Sequence, residues 1–291
     1  MTIADTPILS EQVDLKKKLQ NRSLKRFLAR LCGGLLVVAV LVCAGFFLTP
    51  YDPNTPDFLN RLSPPSAAHW FGTDQLGRDV ATRLLYGGLW SIGLALLITL
   101  FGAIAGTIIG LAAGHFGRVA DTALMRMTDS FFAFPELIAA ITIAGVLGPS
   151  TANMVLALIL VGWMRFARLA RSLSVEIAHR DFVTQARLNG LPSRLILWRH
   201  VLPNVGPSLL VLWTNSWSRT ILSISGLSFL GFGVQPPDAE WGAMLLDGKA
   251  YMQTAPHLMI FPGLAILVSV LAINLTGDQL RDLLGGSATS D

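Results

Sequence analysis

Long apolar runs separated by short polar breaks leave this chain few folds to choose from. Leu31 to Leu48 is an unbroken apolar run, and comparable runs extend from about Leu89 to Ala113, Phe131 to Leu147, Asn153 to Phe166, Val205 to Phe232 and His257 to Thr276. Most approach the roughly 20 residues that a helix rising about 1.5 Å per residue needs to cross a hydrocarbon core about 30 Å thick. In that solvent each backbone N–H and C=O must find its partner within the segment, so the runs have to be helical. Only 14% of residues are charged and 52% are hydrophobic, whereas soluble chains carry about a quarter charged residues. The expected fold is therefore all-α, a polytopic membrane protein with six transmembrane helices.

Charge placement sets the expected orientation. Residues 1–30 form a polar lead carrying Lys16, Lys17, Lys18, Arg22, Lys25, Arg26 and Arg30, which the positive-inside rule keeps in the cytoplasm. Arg165, Arg168, Arg171, Arg180, Arg187, Arg194 and Arg199 mark a second cytoplasmic region, and Arg281 a third. The segment from Gly233 to Ala255 sets Asp238, Glu240 and Asp247 against Lys249 alone, as an external loop would. Six crossings with both termini cytoplasmic satisfy every loop. The expected divisions are the lead at 1–30, a first helix and external segment at 31–86, a core at 87–285 and a tail at 286–291, with no cleaved leader. A net charge of +4 is too small to point to nucleic acid. Cys32 and Cys43 lie about 16 Å apart along one helix and cannot bridge.

Two features inside the core carry local structure. Gly102, Gly106, Gly110 and Gly114 recur every fourth residue, a stripe that lets another helix approach closely. The break from Asp181 to Asn204 is polar and arginine-bearing between two apolar runs, so it leaves the bilayer. Asp181 is read as the N-cap of a short helix through Leu188, Gly190-Leu191-Pro192 as the break, and Ser193 as the start of a second helix ending before Pro203. Phe182, Leu188, Leu195, Leu197 and Trp198 are the apolar positions this unit could insert into a groove on another protein.

Signs of catalysis are missing. Gly242 to Ala250, GAMLLDGKA, has one residue too many between its glycines for a phosphate-binding loop, and an alanine where the Ser or Thr belongs. His69, His115, His179, His200 and His257 are scattered, with no metal-ligand spacing. No serine elbow and no buried carboxylate pair is evident. The chain is read as a non-enzymatic transport subunit without a bound cofactor or metal, so ATP and Mg would sit on separate subunits. A secondary transporter driven by an ion gradient is the rival reading, but it calls for intramembrane carboxylates, and only Asp129 and Glu136 are available.

The polar break resembles the EAA loop of ABC-importer permeases. Thr184, Gln185 and Ala186 occupy the triplet, Gly190 the glycine and Leu202-Pro203-Asn204 the closing Leu-Pro. The triplet's glutamate is absent, since Thr184 stands in its place. The stretch from His69 to Val80, with Gly72, Thr73, Asp74, Gly77, Arg78 and Asp79, is similar to the signature of the C-type permease of dipeptide, oligopeptide and nickel importers. Gly226 to Gly231, Val234 to Pro237, Glu240-Trp241-Gly242 and Asn274 to Asp278 extend the likeness. It implies a type I importer permease fold in a bacterial inner membrane. It also implies a homologous B-type permease, two ABC ATPases docked on residues 181–204 and an extracytoplasmic binding protein as partners. The motif at 72–79 would either cap the span entrance or touch the binding protein.

Arg219 falls about 22 Å along its span from Asn204. A charge at that depth faces a bundle interior or a wet cavity. Arg219, with Asn215 one turn away, is expected either to line the pathway and meet a carboxylate of the cargo or to pair with a partner subunit. Thr184, Ile224 where peptide-type members tend to carry an acid, and the basic Arg219 lean the resemblance toward a metal chelate over a peptide.

Overall fold

The computed structural model describes residues 51–115 and 118–285. The apolar run 31–48, both cysteines, the basic lead 1–30 and the tail 286–291 lie outside the described residues. Within them, regular structure is helical, apart from a single bridge between Thr73 and Asp79.

Helix α1, Val80–His115, is about 54 Å long and begins nine residues before the expected Leu89. Asp79 explains the early start: its carboxylate accepts from the Thr82 backbone N–H at 2.8 Å and from its hydroxyl at 2.7 Å, satisfying donors that a helix start leaves open. The polar break between the runs ending at Ala113 and starting at Phe131 is helical too: the chain there forms α2, Arg118–Phe132. Its Asp121, Arg126 and Asp129 fall on one face of an amphipathic helix.

The expected third span is bent. α2 meets α3, Glu136–Leu147, at 82°, because Pro135 bars Phe134 from helical geometry. By itself α3 rises only about 18 Å. Ser150 caps α4, Thr151–Gly162, by accepting from the Asn153 N–H at 3.1 Å. The expected end at Phe166 is also corrected, since α5, Met164–Ala178, continues the same line. Its arginines find acids on the neighbouring elements: Arg165 with Glu136 at 2.5 Å, Arg168 with Asp129 at 2.6 Å and Arg171 with Asp121 at 2.6 Å.

The remaining elements are α6, Asp181–Leu188; α7, Ser193–Ile196; a π-helical turn, Leu197–Val201; α8, Leu202–Phe229; α9, Trp241–Lys249; and α10, His257–Gly285. Four stretches are long and apolar enough to cross a membrane, and the bent α2–α3 pair would make a fifth. The sixth expected crossing is the run 31–48, which is not among the described residues.

The glycine stripe does what its spacing predicts. A Cβ on Gly106 would fall 2.2 Å from the Trp163 carbonyl oxygen, and one on Gly110 would fall 2.3 Å from that of Ala167. Backbone therefore packs on backbone where α1 crosses α5. One buried cluster, including Ala95, Ile98, Met154, Leu158, Ile221, Ile224 and Leu227, fills the bundle. A second joins Leu111 and Phe166 to Val183, Ala186, Ile196, Val201 and Val205. Through it the polar hairpin is fastened to the far end of α1.

Candidate functional site

The hairpin built by residues 181–204 has an inner and an outer face. Val183, Ala186, Ile196 and Val201 are buried, while Thr184 and Gln185 face outward. Of the expected docking positions, Phe182, Leu188, Leu195 and Trp198 are exposed, with Leu188 at 82% and Trp198 at 67%. Leu197 instead packs partly buried against the inner cluster.

Local bonding makes the turn and corrects two details of the expected unit. Asp181 is the first helical residue and makes no side-chain cap; the cap position belongs to Arg180. Its negative charge in the first turn still complements the helix dipole. At the other end, the Leu191 N–H donates to the Ala186 carbonyl at 3.2 Å and the Gly190 N–H to that of Arg187 at 3.0 Å. This reverse cap requires the left-handed backbone that Gly190 adopts at φ +76°.

Pro203 does not end the second helix. Ser193 to Phe229 runs on as one rod, because the π turn lets the Leu202 N–H reach the Leu197 carbonyl. This widened turn takes in a residue that has no N–H and whose ring crowds the carbonyl four residues back. The Asn204 amide donates to the His200 carbonyl at 2.6 Å. Leu202-Pro203-Asn204 thus marks where the hairpin's second limb becomes α8.

At the opposite end of α1, residues 72–79 form a buried knot. Asp74 accepts from the backbone N–H groups of Leu76 at 2.8 Å and Arg78 at 3.0 Å, and from Arg78 Nε at 2.7 Å. Asp79 caps α1 and meets His69 Nδ1 at 3.0 Å. Thr73 donates to the Asn60 carbonyl, and Gly72 lies so near Ser63 that a Cβ would fall 2.5 Å from its carbonyl oxygen. Thr73, Asp74, Arg78 and Asp79 are all buried, so their polar groups bond within the knot and to the start of α1.

Beside this knot lies a residue whose role its motif alone does not reveal. Glu240 is completely buried and caps α9, accepting from the Ala243 N–H at 3.0 Å and from the Ser91 hydroxyl at 2.8 Å. The adjacent Trp241 indole donates to the Leu84 carbonyl at 2.8 Å. Glu240-Trp241-Gly242 thereby pins α9 onto α1.

Between these ends, Arg219 is exposed on α8 and lines a groove with Thr99, Glu136, Arg165, Ser216 and Thr220. The expected companion Asn215 turns elsewhere: its amide oxygen is 3.2 Å from where a Cβ on Gly277 of α10 would stand. Ile224, read as a substitution bearing on cargo, is fully buried in the bundle core, so packing accounts for its apolar side chain. The Glu136–Arg165 pair escaped the sequence reading, although Arg165, Arg168 and Arg171 at three-residue intervals signal one charged helix face. Among the described residues no cluster of three or more His, Cys, Asp or Glu could hold a metal ion.

Residues 106–288 match a family described as the inner membrane component of binding-protein-dependent transport systems. The chain is 41% identical over 246 residues to the nickel transport system permease protein NikC of Escherichia coli K12, covering 84% of this chain and 89% of that one. It is 40% identical over 266 residues to the glutathione transport system permease protein GsiD of Pectobacterium atrosepticum, covering 89% and 88%. With the dipeptide transport system permease protein DppC of Alkalihalophilus pseudofirmus the identity is 38% over 256 residues, covering 86% and 84%. In fold, the chain is similar to a chain of the inward-facing MetNI methionine ABC transporter, with a TM-score of 0.55 at 17% identity, covering 69% of this chain and 96% of that one.

Proposed function

The chain belongs to the family of binding-protein-dependent transport inner membrane components, and on that premise we propose that it forms half of the translocation pathway of an ATP-driven importer. It is a permease subunit and not an enzyme. The other half is a homologous B-type permease, two ABC ATPases supply the work, and an extracytoplasmic binding protein delivers the cargo. The membrane is a bacterial inner membrane, with both termini cytoplasmic.

The observation that carries this reading is the hairpin of residues 181–204, whose inner face is fastened to α1 and α5 while Leu188 and Trp198 stand exposed beyond it. Exposed apolar side chains on a rigidly held turn suit a groove on a partner. Because the second limb is continuous with α8, a push on Thr184, Gln185, Ala186 or Gly190 is passed into a membrane helix through Leu202 and Pro203. Closure of the ATPases on ATP would move the two permeases as rigid bodies and alternate the access of the pathway.

On this reading Arg219 lines that pathway. The cargo is a nickel or other metal chelate, with a dipeptide or oligopeptide as the second reading; relatives named for nickel, glutathione and dipeptides favour small polar cargo in either case. The test replaces Leu188 and Trp198 together by serine in the complete transporter. The ATPases are expected to be lost on copurification, with ATP-driven uptake falling at least about tenfold, while the two permeases stay associated. Full ATPase retention and unchanged uptake would reject the docking role.

A further inference from the structure

We propose that Arg219, with the Glu136–Arg165 pair beside it, forms a station on the pathway that selects cargo by a free carboxylate. This rests on the permease reading above and names the chemistry of its site. The groove holds the charges of Arg165 and Arg219 against that of Glu136, which leaves one positive charge in excess. The excess belongs to a particular side chain. Arg165 is matched by Glu136 at 2.5 Å, whereas among the described residues no carboxylate lies within ion-pair distance of Arg219, which remains exposed to the groove.

Two of the surrounding hydroxyls are already engaged. The Thr99 and Thr220 hydroxyls donate to the carbonyls of Ala95 and Ser216, at 2.7 and 2.9 Å, so their hydrogens are engaged within their own helices. Arg219 is then a cationic donor of the groove without an acid partner among the described residues, and its planar fork fits a carboxylate through paired hydrogen bonds. A cation without an acid partner on a helix apolar enough to cross a membrane is costly, and an arriving anion offsets that cost.

Space for the rest of a cargo adjoins the station. A cavity of about 290 Å³ is lined by Phe132, Pro135, Val161 and Met164 and shares Glu136 and Arg165 with the groove. An open cleft with mixed polar and apolar walls beside a charged end suits a small molecule bearing a terminal carboxylate. Glu136 has a second part, because its charge sets the excess: removing it would leave the positive charges of both Arg165 and Arg219.

The test uses the complete transporter, with both permeases and both ATPases, in lipid nanodiscs without binding protein. A dansyl-labelled dipeptide is titrated as its free acid and as its C-terminal amide, followed by fluorescence anisotropy. The acid is expected to bind at least about tenfold more tightly than the amide. Arg219→Gln should bring the ratio near one, Arg219→Lys should give an intermediate ratio, and Glu136→Gln should raise it. Displacement of the bound acid by nickel citrate would assign the station to carboxylates of chelates as well; displacement by unlabelled dipeptide alone would assign it to peptides.

Equal binding of acid and amide, no binding of the acid, or a ratio that survives Arg219→Gln overturns the proposal. Equal binding is also what would follow if an acid of the partner permease already neutralised Arg219. ATPase copurification, recorded on the same samples, separates this from failure of the permease reading. If copurification holds while the ratio is one, only the station falls.

Discussion

Single glycines do unlike work in this chain, and the same substitution separates them. Gly190 sits in left-handed geometry with nothing within 4 Å of a prospective Cβ, so Gly190→Ala meets only backbone strain of about 1–2 kcal/mol. The variant should fold and show a modestly lower midpoint in thermal unfolding of the detergent-purified complex, with easier proteolysis at the hairpin. At Gly77 the φ is +79° and a Cβ would fall 1.6 Å from the Asp57 carbonyl oxygen, a backbone atom that accepts from the Asn60 N–H while the Asp57 N–H donates to the Leu76 carbonyl. Gly77→Ala should therefore abolish the monodisperse peak in size-exclusion chromatography. If the two variants behave alike, the knot at 72–79 is not the rigid structure described.

Among the elements, the packing of α1 on α5 and that of α2 on α5 rest on different physics. The first is steric: Gly106→Val would drive a side chain into the Trp163 carbonyl and the Phe166 Cβ. Overpacking of this kind costs typically about 1–3 kcal/mol, and more where backbone is the obstacle. Gly93 on the same helix meets nothing within 4 Å, so Gly93→Val should leave the unfolding midpoint within about a degree while Gly106→Val lowers it by several. The second is electrostatic. Arg168 pairs with Asp129 across side chains that are 44% and 60% exposed and lies 3.8 Å above the Phe132 ring. Exposed pairs contribute about 0–1 kcal/mol, so Asp129→Asn should scarcely shift unfolding, and the arginine ladder acts chiefly to set the register of α2.

For the molecule as a whole, α1 joins a buried knot at one end to a protruding hairpin at the other. Stress applied to Leu188 or Trp198 reaches the bundle through the second buried cluster and the unbroken rod of α7 and α8. On the permease reading, the motor is a separate subunit. Reconstituted alone into liposomes with a proton or sodium gradient, the chain should accumulate none of the nickel chelates or dipeptides offered. With its partners and ATP it should accumulate its cargo. Gradient-driven uptake by the isolated chain would return the secondary transporter to first place.

The sequence by itself determined the helical fold class, most of the apolar runs, the glycine stripe and the position of the hairpin. Each is a local consequence of periodicity, run length or turn chemistry, and the Gly190 turn could be read from its residue type alone. Tertiary structure decided what depends on neighbours distant in sequence. It made α2 a helix, carried α5 beyond Phe166 on its ion pairs, buried Ile224 and the 72–79 motif, turned Asn215 toward α10 and set Glu136 beside Arg165. Charge and hydrophobicity tell a residue which environments it tolerates, but only packing chooses its partner, since that choice belongs to both sides of a contact.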